Sequence, residues 1–521
     1  MTTYSNPILD ADWPDPDTIR VGDDYWMIAS SFNRAPGLPV LHSRDLVSWE
    51  HVANALPQVP PVAHYALPRH GSGVWAPSLR HHDGLFWIVY PDPDHGIFVL
   101  TATDPRGPWT EPWCVLPGRG LIDPCPLWDD DGRTYLVHGW ARSRAGIKNR
   151  LTVVEVDPTL HRVVGPARTV VDGDALPGFG TLEGPKLSKR DGWYWIFAPA
   201  GGVSTGWQTA FRSRSVWGPY EHRVVLEQGS TPVNGPHQGA WVDTPDGTDW
   251  FLHFQDRDQF GRVVHLQPMR WDDDGWPRMG DPLVGEPRDT TGATLEGRGQ
   301  AVLHHPTPTG SGEPAEPERS DDFARPGLAP RWHWQANPSA DWYVAPGDGT
   351  LHLAAQASPL GNLRDQGAVL CQQLPGQPST WESVVRLTGD APGTRAGVVV
   401  LGREYAWIGL ERTAGGVDVV HRRWTAETGE QDVAREPAPG SALVVRLEID
   451  AAGDVTWSWG PGDGPGRPEL ASVPGTWRAV VGHWIGAEVG LFASAPTGAL
   501  LDAADGGTFG PVRVTVAGKD A

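Results

Sequence analysis

The sequence predicts an all-β protein, a five-bladed β-propeller followed by a β-sandwich. Three features carry that expectation: an aromatic-rich strand pattern repeated five times, a Pro/Gly/Glu-rich interruption near residue 304, and a run of short strands beyond it. At 521 residues the chain exceeds the size at which a single hydrophobic core keeps growing, so two or more domains are expected.

The repeat is a Gly or Asp turn leading into a strand, at GDDYWMIASS (22–31), DGLFWIVYPD (83–92), DGRTYLVHGW (131–140), DGWYWIFAPA (191–200) and GTDWFLHFQD (247–256). Its glycines fall at 22, 84, 132, 192 and 247, giving steps of 62, 48, 60 and 55. Units of roughly 50 residues built from short strands and Gly/Pro turns, with no amphipathic helical period between them, match radial blades better than a helical solenoid. An irregular two-sheet β-architecture is the alternative, since aromatic strands after DG turns occur in any antiparallel protein.

The propeller is assigned to residues 1–303. The stretch from 304 to 319, HHPTPTGSGEPAEPER, is poor in apolar residues and reads as a linker. From 320 to 521, segments such as LHLAAQ, SVVRL, AGVVVLG, AWIGLE, LVVRLEI and VGLFAS are short strands separated by turn residues, as in a β-sandwich.

Composition narrows the partners. Sixty-three acidic residues against 42 basic ones leave a net charge of −21, which opposes binding to nucleic acid or to an anionic membrane. No stretch approaches the ~18 apolar residues of a membrane span, and the start MTTYSNPILDADW lacks a basic segment followed by an apolar run, so a cytoplasmic location is expected. Cys114, Cys125 and Cys371 lack CxxC spacing and read as reduced, buried thiols. Twenty-seven tryptophans supply flat apolar faces suited to sugar rings as well as to protein cores.

Three acids stand at Gly/Pro-marked turns, each just before a repeat's aromatic strand. Asp15 lies between Pro14 and Pro16, Asp123 precedes Pro124, and Glu183 precedes Gly184 and Pro185. Prolines fix the backbone and cannot donate to a β-ladder, so such carboxylates are rigidly held. Equivalent positions in different blades converge on a propeller axis, which favours one coordinated site over three independent surface acids. In a Trp-lined pocket, desolvation and like charge raise at least one carboxyl pKa, leaving a proton donor near neutral pH. Hydrolysis of a glycosidic bond needs such a donor and a second carboxylate to activate water or attack the anomeric carbon.

These residues carry a resemblance. Asn6-Pro7-Ile8-Leu9, Pro14-Asp15-Pro16, Trp75-Ala76-Pro77, Asp123 and Glu183-Gly184-Pro185, in that order and with SRDLVSWE after the first repeat strand, resemble glycoside hydrolase family 43 over roughly residues 5–300. The resemblance implies inversion at the anomeric centre, with Asp15 as general base, Glu183 as general acid and Asp123 as the acid that orients Glu183 and raises its pKa. Asp17 is the rival to Asp15. Phe32, Trp75 and Trp140 match walls of a sugar pocket, and Arg262 resembles an arginine that holds sugar hydroxyls. His237 matches a histidine near the propeller axis, sometimes beside a structural cation, which would be Ca²⁺ with oxygen ligands. The segment opening DDFARPGLAPRWHWQANP is similar to the sandwich appended to β-xylosidase-like members. It offers Trp484 at the pocket mouth and Asp321 and Asp322 as rival Ca²⁺ or plain turn acids.

The expected activity is therefore that of an inverting exo-β-xylosidase acting on xylo-oligosaccharides without a catalytic cofactor. An α-L-arabinofuranosidase acting on arabino-oligosaccharides is the alternative. A noncatalytic carbohydrate-binding propeller needs the aromatic walls but no perturbed acid, and a scaffold protein needs neither. Homo-oligomerisation is left open by the sequence.

Overall fold

The computed structural model describes residues 2–285, 297–308, 315–464 and 468–518. Five antiparallel sheets follow one another along the first part of the chain, spanning 17–56, 78–117, 121–172, 186–227 and 237–279, with four consecutive strands each. Two short strands, Asp281–Pro282 and Gly299–Gln300, extend the fourth sheet. The expected five-bladed propeller is what forms.

The sequence repeat marks the second strand of every blade, and its glycine sits in the hairpin that leads into it. All five glycines are left-handed, with φ of 64°, 74°, 81°, 70° and 82°. At four of them an added Cβ would meet nothing within 4 Å. Backbone conformation, not space, selects glycine there.

Alternation along these strands explains the aromatic content, because each blade is covered on both faces by its neighbours. Tyr25 and Met27 enter the apolar layer shared with the fifth blade, while Trp26 and Ile28 enter the layer shared with the second. Trp87 and Val89 pack towards the third blade, and Trp195 and Phe197 towards the fifth. Tyr135, Val137, Ile196 and Ala198 fill the layer between the third and fourth. Each such large side chain contributes roughly 1.5–3 kcal/mol on burial.

The ring is closed by the N-terminal segment. Strand Thr3–Ser5 pairs with His304–Pro306, and Asn6 donates from Nδ2 to the carbonyls of Leu266 and Val302 at 2.8 and 2.9 Å. Residues 309–314 of the expected linker lie outside the described residues. The described parts on either side are bound to the propeller: Trp49 donates its N–H to the Ala315 carbonyl at 2.9 Å, and Asp10 to Glu316 Oε1 at 3.4 Å. The described residues of this stretch, though poor in apolar side chains, thus pair their backbone groups with the propeller and the N-terminal strand.

The second unit is a β-sandwich of an eight-stranded and a nine-stranded sheet. Its inner layer includes Trp332, Trp334, Trp381, Leu447 and Trp457, and the far face of the eight-stranded sheet carries a second layer with Cys371, Tyr405, Trp407 and Phe492. Strand Arg395–Leu401 is buried along its whole length because it serves both layers. Cys125 and Cys371 are buried thiols, but Cys114 is exposed. It lies on the outermost strand of the second blade, Trp113–Pro117, with which no further strand pairs among the described residues.

The two units are joined by polar contacts of high quality. Asn33 Nδ2 donates to the Gln335 carbonyl at 2.6 Å, Ala35 and Trp334 exchange backbone hydrogen bonds, and Ala487 N–H donates to the Gln259 carbonyl at 2.7 Å. A buried ionic cluster completes the joint. Arg34 Nε lies 2.7 Å from Glu488 Oε1 of the sandwich, and Arg34 Nη2 donates to Asp12 Oδ2 at 2.9 Å. His333 Nε2 and Gln335 Nε2 also reach Glu488, at 2.6 and 2.5 Å. These partners hold the Glu488 carboxyl near a pKa of about 2 against the upward push of burial.

Candidate active site

The inner strands of the blades surround the propeller axis, and at one end of it they leave a cavity of about 360 Å³. Asp15, Phe32, Trp75, Asp123, Trp140, Glu183, Arg262 and Trp484 all line it. Its size falls within the range of small-ligand pockets.

The backbone around this cavity is strained. Among the described residues, fourteen non-glycine residues have positive φ, and seven of them line it: Asp15, Phe32, Asp123, Asn149, Thr181, Gln238 and Trp484. Non-glycine residues in this conformation cost of order 1–3 kcal/mol each and persist only where the surroundings over-determine them. The sequence placed the three acids before aromatic strands; each in fact stands at the start of its blade's inner strand, one strand earlier. Asp15 precedes Asp17–Val21, Asp123 sits where the pairing of Leu121–Trp128 slips between Ile122 and Cys125, and Glu183 precedes Lys186–Arg190. A bulge of that kind re-aims a side chain, here towards the axis.

Asp15 is buried. Its Oδ2 accepts from Ser30 Oγ at 2.5 Å and its Oδ1 from Arg262 Nη1 at 2.9 Å. The Arg262 N–H in turn donates to Asp12 Oδ1 at 3.0 Å, so Asp12 links Arg262 to Arg34 and the interdomain cluster. Asp123 Oδ2 accepts from the Gly184 N–H at 2.7 Å, which ties it to the residue following Glu183. Gly184 has φ of 60°, and a Cβ there would lie 2.7 Å from Gln238 Cγ, so both backbone and space require glycine.

Glu183 opens onto the cavity with about a quarter of its side chain accessible. Desolvation, then the neighbouring carboxylates of Asp123 and Asp15, push its pKa up to about 8. Desolvation also raises Asp123, with Gly184 N–H opposing and Asp15 reinforcing the rise. The two carboxyls titrate as a unit. Asn149 props the Glu183 loop: its Nδ2 donates to Asp174 at 2.7 Å and its Oδ1 accepts from the Leu182 N–H at 3.3 Å.

The walls are aromatic. Phe32 and Trp75 meet edge to face at 6.3 Å between ring centroids, and Trp75 meets Trp484 of the sandwich at 6.4 Å. Trp140 is fixed by a 2.9 Å hydrogen bond from its Nε1 to Thr152 Oγ1. Trp484 is 45% exposed, while its guanidinium neighbour Arg262 lies 6.0 Å from its ring centre.

Asp17 belongs elsewhere. It is bound by the Leu79 N–H at 2.9 Å, Arg80 at 2.8 Å and Lys186 at 3.4 Å, and lines a separate cavity that shares no residue with the first. His237 lies behind the acids, fully buried, with Nε2 3.6 Å from Glu183 Oε1. Burial, helped by Arg262, lowers its pKa to about 3 and keeps it neutral. Neither ring nitrogen has a hydrogen-bond partner among the described residues. Among the described residues, no three His, Cys, Asp or Glu gather as metal ligands, and His237 offers a single nitrogen where Ca²⁺ takes six to eight oxygens. Asp321 and Asp322 cap turns: Asp321 accepts from the Phe323 N–H and Trp332 Nε1, and Asp322 from the Ala324 N–H.

Ser30, Arg142, Lys148, Asn149 and Gln238 also stand at the site without having been singled out from sequence. Gln238 was legible as the neighbour of His237; for the others no local pattern marks them.

A closely held carboxylate, two carboxyls of raised pKa and aromatic walls on a propeller axis define the class of protein as a glycoside hydrolase. The model of glycosyl hydrolases family 43 matches residues 4–277, and that of the β-xylosidase C-terminal concanavalin A-like domain matches residues 320–505. The chain belongs to glycosyl hydrolases family 43. It is 38% identical over 410 residues to a protein of Xylanibacter ruminicola named "Putative beta-xylosidase", covering 78% of this chain and 72% of that one. It is 28% identical over 517 residues to a non-reducing end α-L-arabinofuranosidase of Bacteroides ovatus, covering 94% and 91%. In fold it is similar to a xylan β-1,4-xylosidase of Bacillus halodurans, with a TM-score of 0.84 at 23% identity over 98% of this chain and 99% of that one.

Proposed function

We propose that this hydrolase removes single terminal xylose units from short β-1,4-xylo-oligosaccharides with inversion. The observation that carries the reading is the division of labour among the acids. Asp15, held by Arg262 and Ser30, is suited to take a proton from water. Glu183, raised by burial and by its carboxylate neighbours, is suited to give one to the leaving oxygen. Asp123 orients Glu183 through the Gly184 N–H and resists its ionisation. Phe32 and Trp75 would close the back of the pocket and Trp484 narrow its entrance, which supports attack on chain ends. The β-xylosidase name of the Xylanibacter relative supports xylose as the sugar.

A second reading, α-L-arabinofuranosidase activity, is favoured by the Bacteroides relative that aligns along nearly the whole chain. Arabinofuranose and xylopyranose can present similar hydroxyl patterns to one pocket. Initial rates on an aryl β-xyloside and an aryl α-L-arabinofuranoside, measured side by side, decide between them; turnover of neither would overturn both.

A further inference from the structure

The chain carries −21 net charge, yet the mouth of its active-site cavity is ringed by cations. Arg142 and Lys148, from the segment that follows the second strand of the third blade, line the cavity themselves. Neither makes an ion pair among the described residues. Arg144 of the same segment lies 5.5 Å over the Trp75 ring and 3.3 Å from Asp94. The sandwich faces it with Arg364, 3.7 Å from Asp365, and with exposed Arg403, which has no ion pair among the described residues. Between the two groups lies His483, whose ring is 5.6 Å from that of Trp484. Arg403 is fixed beside this segment, its N–H donating to the Val481 carbonyl at 3.1 Å, two residues before His483. The carboxylates paired at this rim are Asp94 and Asp365. Deeper in the cavity, Arg262 already answers Asp15.

Unpaired cations on an acidic protein are costly neighbours only for other cations; for an anion they are a preformed partner, strongest where low-dielectric walls focus the field. The terminal sugar would occupy the space among the three acids, so the groups at the mouth face the part of the substrate that leaves. Accepting the exo-hydrolase reading, we propose that the rim formed by Arg142, Lys148 and Arg403 is a subsite for a carboxylate carried on the leaving side of the scissile bond, as in an oligosaccharide bearing a uronic acid next to its terminal sugar. Lys148 and Arg142 contact that carboxylate; Arg403 attracts it from the sandwich side. Arg144 and Arg364, already paired, contribute less.

The test uses two leaving groups of matched acidity, 4-(carboxymethyl)phenyl and the neutral 4-(carbamoylmethyl)phenyl, each as its β-xyloside and α-L-arabinofuranoside. In the full-length protein at low salt, kcat/KM for the anionic member should exceed that for the neutral one by about three- to tenfold, and the preference should shrink in 0.5 M NaCl. Lys148→Gln and Arg142→Gln should each reduce that ratio at least about threefold. Arg403→Gln, on the sandwich side of the rim, should lower the ratio as well. Turnover of the neutral glycosides with no anionic preference, or a preference untouched by all three substitutions, would overturn this inference alone. Failure to hydrolyse any of the four would sink the proposed function and this inference with it.

Discussion

At the scale of single residues, the site separates three carboxylates by what surrounds them. Asp15 is answered by a guanidinium and a hydroxyl, whereas burial and two other carboxylates push Glu183 up to about 8, which suits Glu183 to hold a proton at neutral pH. Glu183→Ala should therefore lose about 10²-fold or more in kcat on glycosides with poor leaving groups and much less on activated aryl glycosides, which need little protonation. Equal losses on both would argue against a general acid. Asp15→Ala should abolish turnover of both kinds, with azide restoring part of it as a glycosyl azide. The pH dependence of the proposed mechanism has a defined sign: as general acid Glu183 must carry its proton, so the rate should fall as pH rises through about 8. Asp123→Asn removes the stronger of the two repelling charges, so the alkaline limb of the profile should move to lower pH. A limb that stays in place would refute the coupling.

At the scale of elements, one stretch of the sandwich does two jobs. The loop carrying Trp484 reaches the cavity, and four residues later Glu488 is locked to Arg34, His333 and Gln335. From Arg34 the contacts run through Asp12 to the Arg262 that holds Asp15. Trp484→Ala should raise KM several-fold with little change in thermal stability, since its ring is half exposed. Glu488→Ala should destabilise the fold by about 3 kcal/mol, the cost of breaking a buried pair, because it leaves Asp12 as the remaining carboxylate on the buried Arg34 and removes the acceptor of His333 and Gln335. It should also lower kcat by loosening Arg262. The linkage follows from the direction of the Glu488 shift. Its folded pKa, about 2, lies below the ordinary value, so its contribution is present above pH ~4.5 and is lost as pH falls towards 2. In an acid titration monitored by tryptophan fluorescence, a variant lacking this carboxylate's partners His333 and Gln335 should unfold at higher pH than wild type; coincident transitions would show that the cluster contributes nothing.

At the scale of the whole molecule, the propeller supplies the acids and the sandwich supplies part of the pocket mouth. Ending the chain near residue 305 should expose Asn33, Arg34 and Ala35, which now bond to the sandwich, and should lower activity more than loss of a tethered module would. A truncated propeller that folds and works at the full rate would refute this coupling. A pocket closed at its back accepts chain ends, so single sugars should appear from the first turnover with little fall in polymer viscosity. Early mid-length oligomers from xylan would contradict it. Followed by proton NMR before mutarotation, the first product from a β-xyloside should be α-xylose.

How much of this was legible depended on the range of the interactions involved. The five hairpin glycines and the strands after them could be read because a left-handed turn and a two-residue alternation are local requirements that residue type records directly. The three acids were legible because prolines and glycine mark the rigid turns that hold them. What residue type could not record was direction: Asp15 and Asp17 are two residues apart, and only a backbone forced to positive φ at Asp15 sends one to the cavity and the other to Arg80 and Lys186. The same holds for the sandwich, whose strands were evident but whose joint was not. Ser30 against Asp15, Asn149 beneath Glu183, and Arg34 between Asp12 and Glu488 are partners separated by 15 to more than 450 residues, and no local pattern encodes contacts at that range. The sequence alone thus determined which blades and which acids exist, through local backbone and burial rules. Tertiary packing decided what surrounds each carboxylate, what holds it, and how the second domain closes the site.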